Sequence, residues 1–121
     1  MAQLNENRGT ANFIVSEANG MYRSRDVGTV AAGAAPGLLA GTILGKLTAG
    51  GNFVRYDPAA STGAETVAGI LFEAAVGTVK KTIVVRDAEV NGAHLIYQNG
   101  ANDAAKATAN AALKALGIIV R

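Results

Sequence analysis

Apolar and polar positions alternate in short runs along most of this chain, with the period of strands. Between Gly41 and Phe72, the runs Thr42–Thr48 and Phe53–Tyr56 flank Ala49-Gly50-Gly51-Asn52, and Val67–Phe72 follows the polar loop Asp57–Thr66. Paired glycines beside an Asn supply the positive φ angles of a tight turn, so the first two runs are expected to pair antiparallel. Upstream, Phe13-Ile14-Val15 is a β-prone island in polar sequence, followed by the turn signal Glu17-Ala18-Asn19-Gly20. Downstream, Thr82-Ile83-Val84-Val85 is a β-branched run, Asn91-Gly92 is the strongest hairpin signal, and Ala93–Tyr97 is the expected return strand. The period then changes. From Asn102 to Leu116, Ala105, Ala109, Ala112, Leu113 and Leu116 fall on one helical face. Asn102 or Asp103 can cap the start of this helix, and Gly117 stands where a left-handed residue ends one. Ile118-Ile119-Val120 returns as a last strand. The pattern predicts a mainly β fold with one C-terminal helix, an α+β chain.

Val27–Gly45 carries no charge over 19 positions, and glycines recur there at 33, 37, 41 and 45. Such spacing can mark a small-residue helix interface in lipid. Pro36 interrupts the run, its bulk is Ala and Gly, and each Gly disfavours helix by about 1 kcal/mol relative to Ala. Strands punctuated by glycine are expected there, with no membrane span. The polar residues 1–24 read as an N-terminal arm, and 25–121 as a β-rich domain.

Composition narrows the function classes. At 121 residues the chain is one domain, able to bury roughly two thirds of its unfolded surface. Half of it is hydrophobic but only 5% is aromatic, with no Trp. Alanine carries much of the apolar share and contributes little burial energy, so the core is thin and self-association is favoured. With no Cys, disulfides, thiolate metal sites and thiol nucleophiles are excluded. The net charge is +2, yet Lys80-Lys81 is the sole adjacent basic pair. A phosphate backbone needs a clustered basic face, so direct nucleic-acid binding is not expected. The first ten residues, MAQLNENRGT, lack the basic and apolar regions of a signal peptide, and synthesis in the cytoplasm is expected.

Candidate chemistry is sparse. His94 is the sole histidine, and Ser16, Ser24 and Ser61 lack the glycine-flanked elbow of a hydrolase nucleophile. His94 reads as a strand residue with ordinary packing. Ala40–Leu47 brushes against a phosphate loop, but Ala40 replaces the first Gly and Leu47 the metal-binding hydroxyl. In Arg86-Asp87-Ala88-Glu89 the two acids share one face if the strand continues. A solvated face or a subunit salt bridge is the preferred reading there. No catalytic, cofactor-binding or metal-binding residues are expected.

The runs AGTILGKLT, YDPAASTGAETVAGILFEA, VVRDAEVNGAHLIY and ALKALGIIVR together resemble the lambda-type head decoration proteins of tailed phages. The resemblance spans about residues 25–121, and residues 1–24 carry no matching motif. It implies a β-rich homotrimer on the outer surface of the expanded icosahedral capsid, at threefold and quasi-threefold positions. There it would cement subunits of the major capsid protein against the pressure of packaged DNA, in a virion made in the host cytoplasm. It also implies an N-terminal segment that orders on the capsid. Phe13, Ile14 and Val15, the apolar island in that polar arm, have two readings from the residues themselves: the first strand of the fold, or a candidate capsid-binding strand that adds to a partner's sheet edge. Another virion surface β-module, fibre-like or carbohydrate-binding, is the alternative. Such a module presents exposed aromatics, and Phe13, Tyr22, Phe53, Tyr56, Phe72 and Tyr97 are the ones available.

Overall fold

The computed structural model describes residues 10–18, 23–98 and 100–121. The strand-period runs become β1 (Ile14–Glu17), β2 (Arg25–Ala31), β3 (Ile43–Lys46), β4 (Phe53–Arg55), β5 (Val67–Leu71), β6 (Thr78–Val84), β7 (Ala88–Val90) and β8 (Ile118–Val120). One helix, α1 (Asp103–Ala115), precedes β8. The fold class is thus mainly β with one C-terminal helix. The Gly50-Gly51 turn behaves as its chemistry demands: both glycines have positive φ, and β3 pairs antiparallel with β4. β5 then joins the other side of β3, antiparallel.

Strands β2-β4-β3-β5-β6 form a closed barrel, sealed by a long antiparallel ladder between β2 and β6. The remaining strands make a three-stranded sheet in the order β1-β7-β8. This second layer explains why β3 and β5 read as continuous apolar runs. Neighbouring residues on a strand face opposite sides, and here both sides are buried. Leu44, Leu71 and Ile83 join Val30, Leu38 and Ala75 in one core cluster. Ile43, Ile70 and Val84, in register across β3, β5 and β6, join Phe13, Val90, Leu113 and Ile118 in the other. The backbone comes close at Gly45, where an added Cβ would stand 2.6 Å from the Ala64 carbonyl oxygen. That contact seats the loop between β4 and β5 against β3.

The uncharged stretch from Val27 forms β2, an irregular connection and β3. Among the described residues, no helix is long and apolar enough to cross a membrane. α1 carries the predicted cap, with the Asn102 side chain accepting from the Ala105 N–H. Ala109 and Leu113 are buried on its inner face, and Gly117 adopts positive φ after it.

One expected hairpin is absent. After β7 the chain forms a short 3-10 turn, Gly92–His94, in place of a return strand. The Asn91 side chain caps this turn by accepting from the Ala93 N–H. Both edges of β7 are already taken, by β1 and by β8. The Asn91 N–H donates to the Phe13 carbonyl and the Gly92 N–H to the Arg121 carbonyl. Ile96 bridges instead to Thr42, in parallel sense. His94 therefore sits exposed on the turn and not on a strand.

Candidate functional surface

The polar residues singled out in the sequence fall on separate elements: Ser16 on β1, Ser24 just before β2, Ser61 in the loop between β4 and β5, and His94 on the 3-10 turn. Ser24 is fully buried, and its hydroxyl donates to the Glu17 carboxylate. Among the described residues, no group of three or more His, Cys, Asp or Glu side chains comes together to hold a metal ion. Gly41–Lys46 leads into and forms β3, with no helix N-terminus to receive phosphate. The acids near Arg86 separate. Asp87 has φ +51°, which breaks the strand period, so it does not share a face with Glu89 in the way a continuous strand requires. Arg86 pairs with Asp26 at 2.9 Å, and Glu89 with Arg121 at 2.9 Å. Arg121 holds the Glu89 carboxyl below its ordinary range by a hydrogen bond and by its charge. These are ion pairs within one chain, on its solvated surface.

Phe13, Ile14 and Val15 do three different things. Phe13 is fully buried in the core beneath α1. Ile14 is half-buried against the same core and pairs with Val90. Val15 falls at the irregularity between Ile14 and Ser16, and is 56% exposed. A bulge bends an edge strand and re-aims the extra side chain, here outwards. A strand held only for a partner's sheet edge would leave Phe13 uncovered, and here Phe13 is sealed in the chain's own core. The reason is local: one large aromatic in polar sequence reaches the core, while its second neighbour turns away.

β1 and β8 are the two edges of the outer sheet. Each carries an exposed branched residue, Val15 on one and Ile119, at 42% exposure, on the other. Across the sheet runs an open groove of about 270 Å³, with Ser16, Glu89 and Ile119 in its walls. The C-terminal end of β1 is clamped to the barrel. Glu17 accepts from the Arg25 Nε–H at 2.9 Å, from another Arg25 N–H, and from Ser24. The hydrogen bond from Arg25 is the main cause that holds the Glu17 carboxyl below its ordinary range, against the opposing effect of burial. The Arg25 guanidinium also lies 4.1 Å from the centre of the Phe72 ring. The sequence shows none of this clamp. Its only signal is a Glu ending one β-prone run and an Arg opening the next, on either side of a turn.

Of the aromatic residues, Phe13 and Tyr56 are buried, and Phe53, Phe72 and Tyr97 are half-buried; Tyr22 lies outside the described residues. None of the described six-membered rings lies open on the surface as a sugar platform would. A second cavity, of about 560 Å³, opens between the end of β4 and the approach to α1. Its wall holds Arg55, which donates from Nη2 to the Tyr97 carbonyl at 2.8 Å. The Tyr97 hydroxyl in turn donates to Asn110 on α1 at 2.6 Å. Burial raises the Tyr97 pKa, opposed in part by that hydrogen bond.

Against known families, the model described as bacteriophage lambda head decoration protein D matches residues 3–118. The match reaches well into the polar N-terminal stretch that carries no recognisable motif. No curated protein matches the chain.

Proposed function

From the premise that this chain belongs to the bacteriophage lambda head decoration protein D family, we propose that it binds as trimers to the outside of the expanded capsid and cements neighbouring major capsid subunits. The family places it in the virion, as a structural protein associated with the capsid. The observation that carries the finer reading is the family match, which spans both the outer sheet and the barrel.

The fold supports this role in two ways. A closed barrel has no free edges to pair with a partner. Among the described residues the outer sheet keeps two, and β1 carries an exposed bulge at Val15, within the stretch matched by the family. Val15 and the outer edge of β1 would meet the capsid, with Phe13 and Ile14 anchoring them to the fold. Main-chain hydrogen bonds along such an edge each contribute a net ~1 kcal/mol. Three copies joined in a trimer would multiply modest contacts through avidity. No catalytic step belongs to this role.

Co-sedimentation with expanded, undecorated shells tests it. The protein should pellet with expanded shells, saturate, and raise their resistance to heat. Failure to bind, or binding with no gain in shell stability, would overturn the cementing role.

A further inference from the structure

Asn91-Gly92 enters a 3-10 turn and not a hairpin, and it is the dipeptide type at which asparagine loses its side-chain amide most readily. Glycine has no Cβ to shield its nitrogen or restrain its backbone. In an open chain the Gly92 nitrogen, deprotonated by hydroxide, attacks Asn91 Cγ. The N–Cγ bond forms, the Cγ–Nδ2 bond breaks, and ammonia leaves with a proton from water. Water then opens the five-membered imide at either carbonyl, giving aspartate or isoaspartate. We infer that Asn91 is a latent site of this modification, held shut by strand β8 and opened to reaction when the end of that strand detaches. The site needs no shell and no partner.

Three features hold it shut. Ring closure needs the Gly92 nitrogen and the Asn91 Cβ nearly eclipsed about the Cα–C bond, which for an L residue means a negative ψ. Asn91 has ψ 113°, so its backbone must swing far round before attack. Second, the backbone on both sides is engaged. The Gly92 N–H donates to the Arg121 carbonyl at 3.1 Å, and the Asn91 N–H donates to the Phe13 carbonyl at 2.7 Å. Third, the turn itself fixes the asparagine. Its Oδ1 accepts from the Ala93 N–H at 3.0 Å, and its carbonyl accepts from the His94 N–H at 3.0 Å. Of these restraints, β8 is the one that can let go. Phe13 is sealed in the core. The end of β8 is held by the Arg121 N–H to the Val90 carbonyl and by the exposed Arg121–Glu89 ion pair, and exposed pairs contribute little. Chain ends open locally at lower free energy than the whole fold. The glycine is also what lets β8 approach, since a Cβ at Gly92 would stand 2.9 Å from Val120 Cγ1. The same residue therefore makes the pair labile in an open chain and lets the strand close over it.

The test ages the full chain at mildly alkaline pH, folded and in urea, and quantifies isoaspartate at residue 91 by peptide mapping. The folded protein should react at least about tenfold more slowly, because reaction waits on opening. Deleting Arg121 removes the acceptor of the Gly92 N–H. That variant should stay folded and react at least about threefold faster than folded wild type, the effect of one lost hydrogen bond. Hydrogen exchange of the Gly92 amide needs no variant. Its protection in wild type should match the slowing of deamidation within about fivefold, since one opening exposes both. Smaller slowing in the folded state would overturn the latent site. Smaller acceleration in the folded variant, or exchange protection further from the deamidation ratio, would overturn β8 as its latch.

Discussion

Glu17 joins the outer sheet to the barrel through a single carboxylate. It takes hydrogen bonds from Ser24 and Arg25, and Arg25 stacks on Phe72. The Glu17 pKa is lowered in the folded protein. The clamp's contribution is therefore complete above the unfolded carboxylate pKa, about 4, and is lost as pH falls through the lower folded value. Glu17→Gln should melt a few degrees lower than wild type near neutral pH, and the two should converge in acid. A difference independent of pH would mean that packing, not charge, sets the effect. Phe13 makes the second prediction at this scale. A fully buried Phe cut to Ala typically costs 3–5 kcal/mol, so Phe13→Ala should be strongly destabilised in denaturant titrations. A loss under about 1 kcal/mol would mean that the site collapses onto itself or that the residue leaves the core in solution.

At the scale of elements, the proposed capsid contact of β1 can be separated from its part in stability. Val15→Lys should change unfolding free energy by no more than about 0.5 kcal/mol, as exposed sites generally do, and reduce retention on expanded shells at least about tenfold. Unchanged retention would remove β1 from the capsid contact. The elements differ in how far the sequence revealed them, for a physical reason. The Gly50-Gly51 hairpin, the Asn102 cap and the Gly117 terminus depend on residues within a few positions, so local chemistry specifies them. Asn91-Gly92 has equally good local chemistry, but β1 and β8 arrive from the two chain ends and occupy both edges of β7. Asn91 then caps a 3-10 turn instead. An added Cβ at Gly92 would stand 2.9 Å from Val120 Cγ1, so that glycine admits a neighbour and does not bend a hairpin. The candidate surface was partly visible, since Phe13–Val15 stands out as an apolar island. Which of the three is buried depends on a bulge that no periodicity encodes.

At the scale of the whole molecule, two apolar clusters share the two faces of β3, β5 and β6. The alanine-rich thinness of the chain is met by layering, with the barrel on one side and the outer sheet and α1 on the other. Exposed branched residues are left at Val15, Val27, Leu39, Val76 and Ile119. Scattered singly, such residues are ordinary on a protein surface. Two of them, Val15 and Ile119, nonetheless mark the edges that the outer sheet leaves unpaired among the described residues. The proposal to be tested is that this chain decorates an expanded capsid as trimers. The most direct measurement is a reconstruction of expanded shells after saturation with the purified protein. The account predicts trimeric density on the outer surface at threefold and quasi-threefold positions, with β1 against the capsid. Shells that remain bare, or isolated monomers away from those positions, would contradict it.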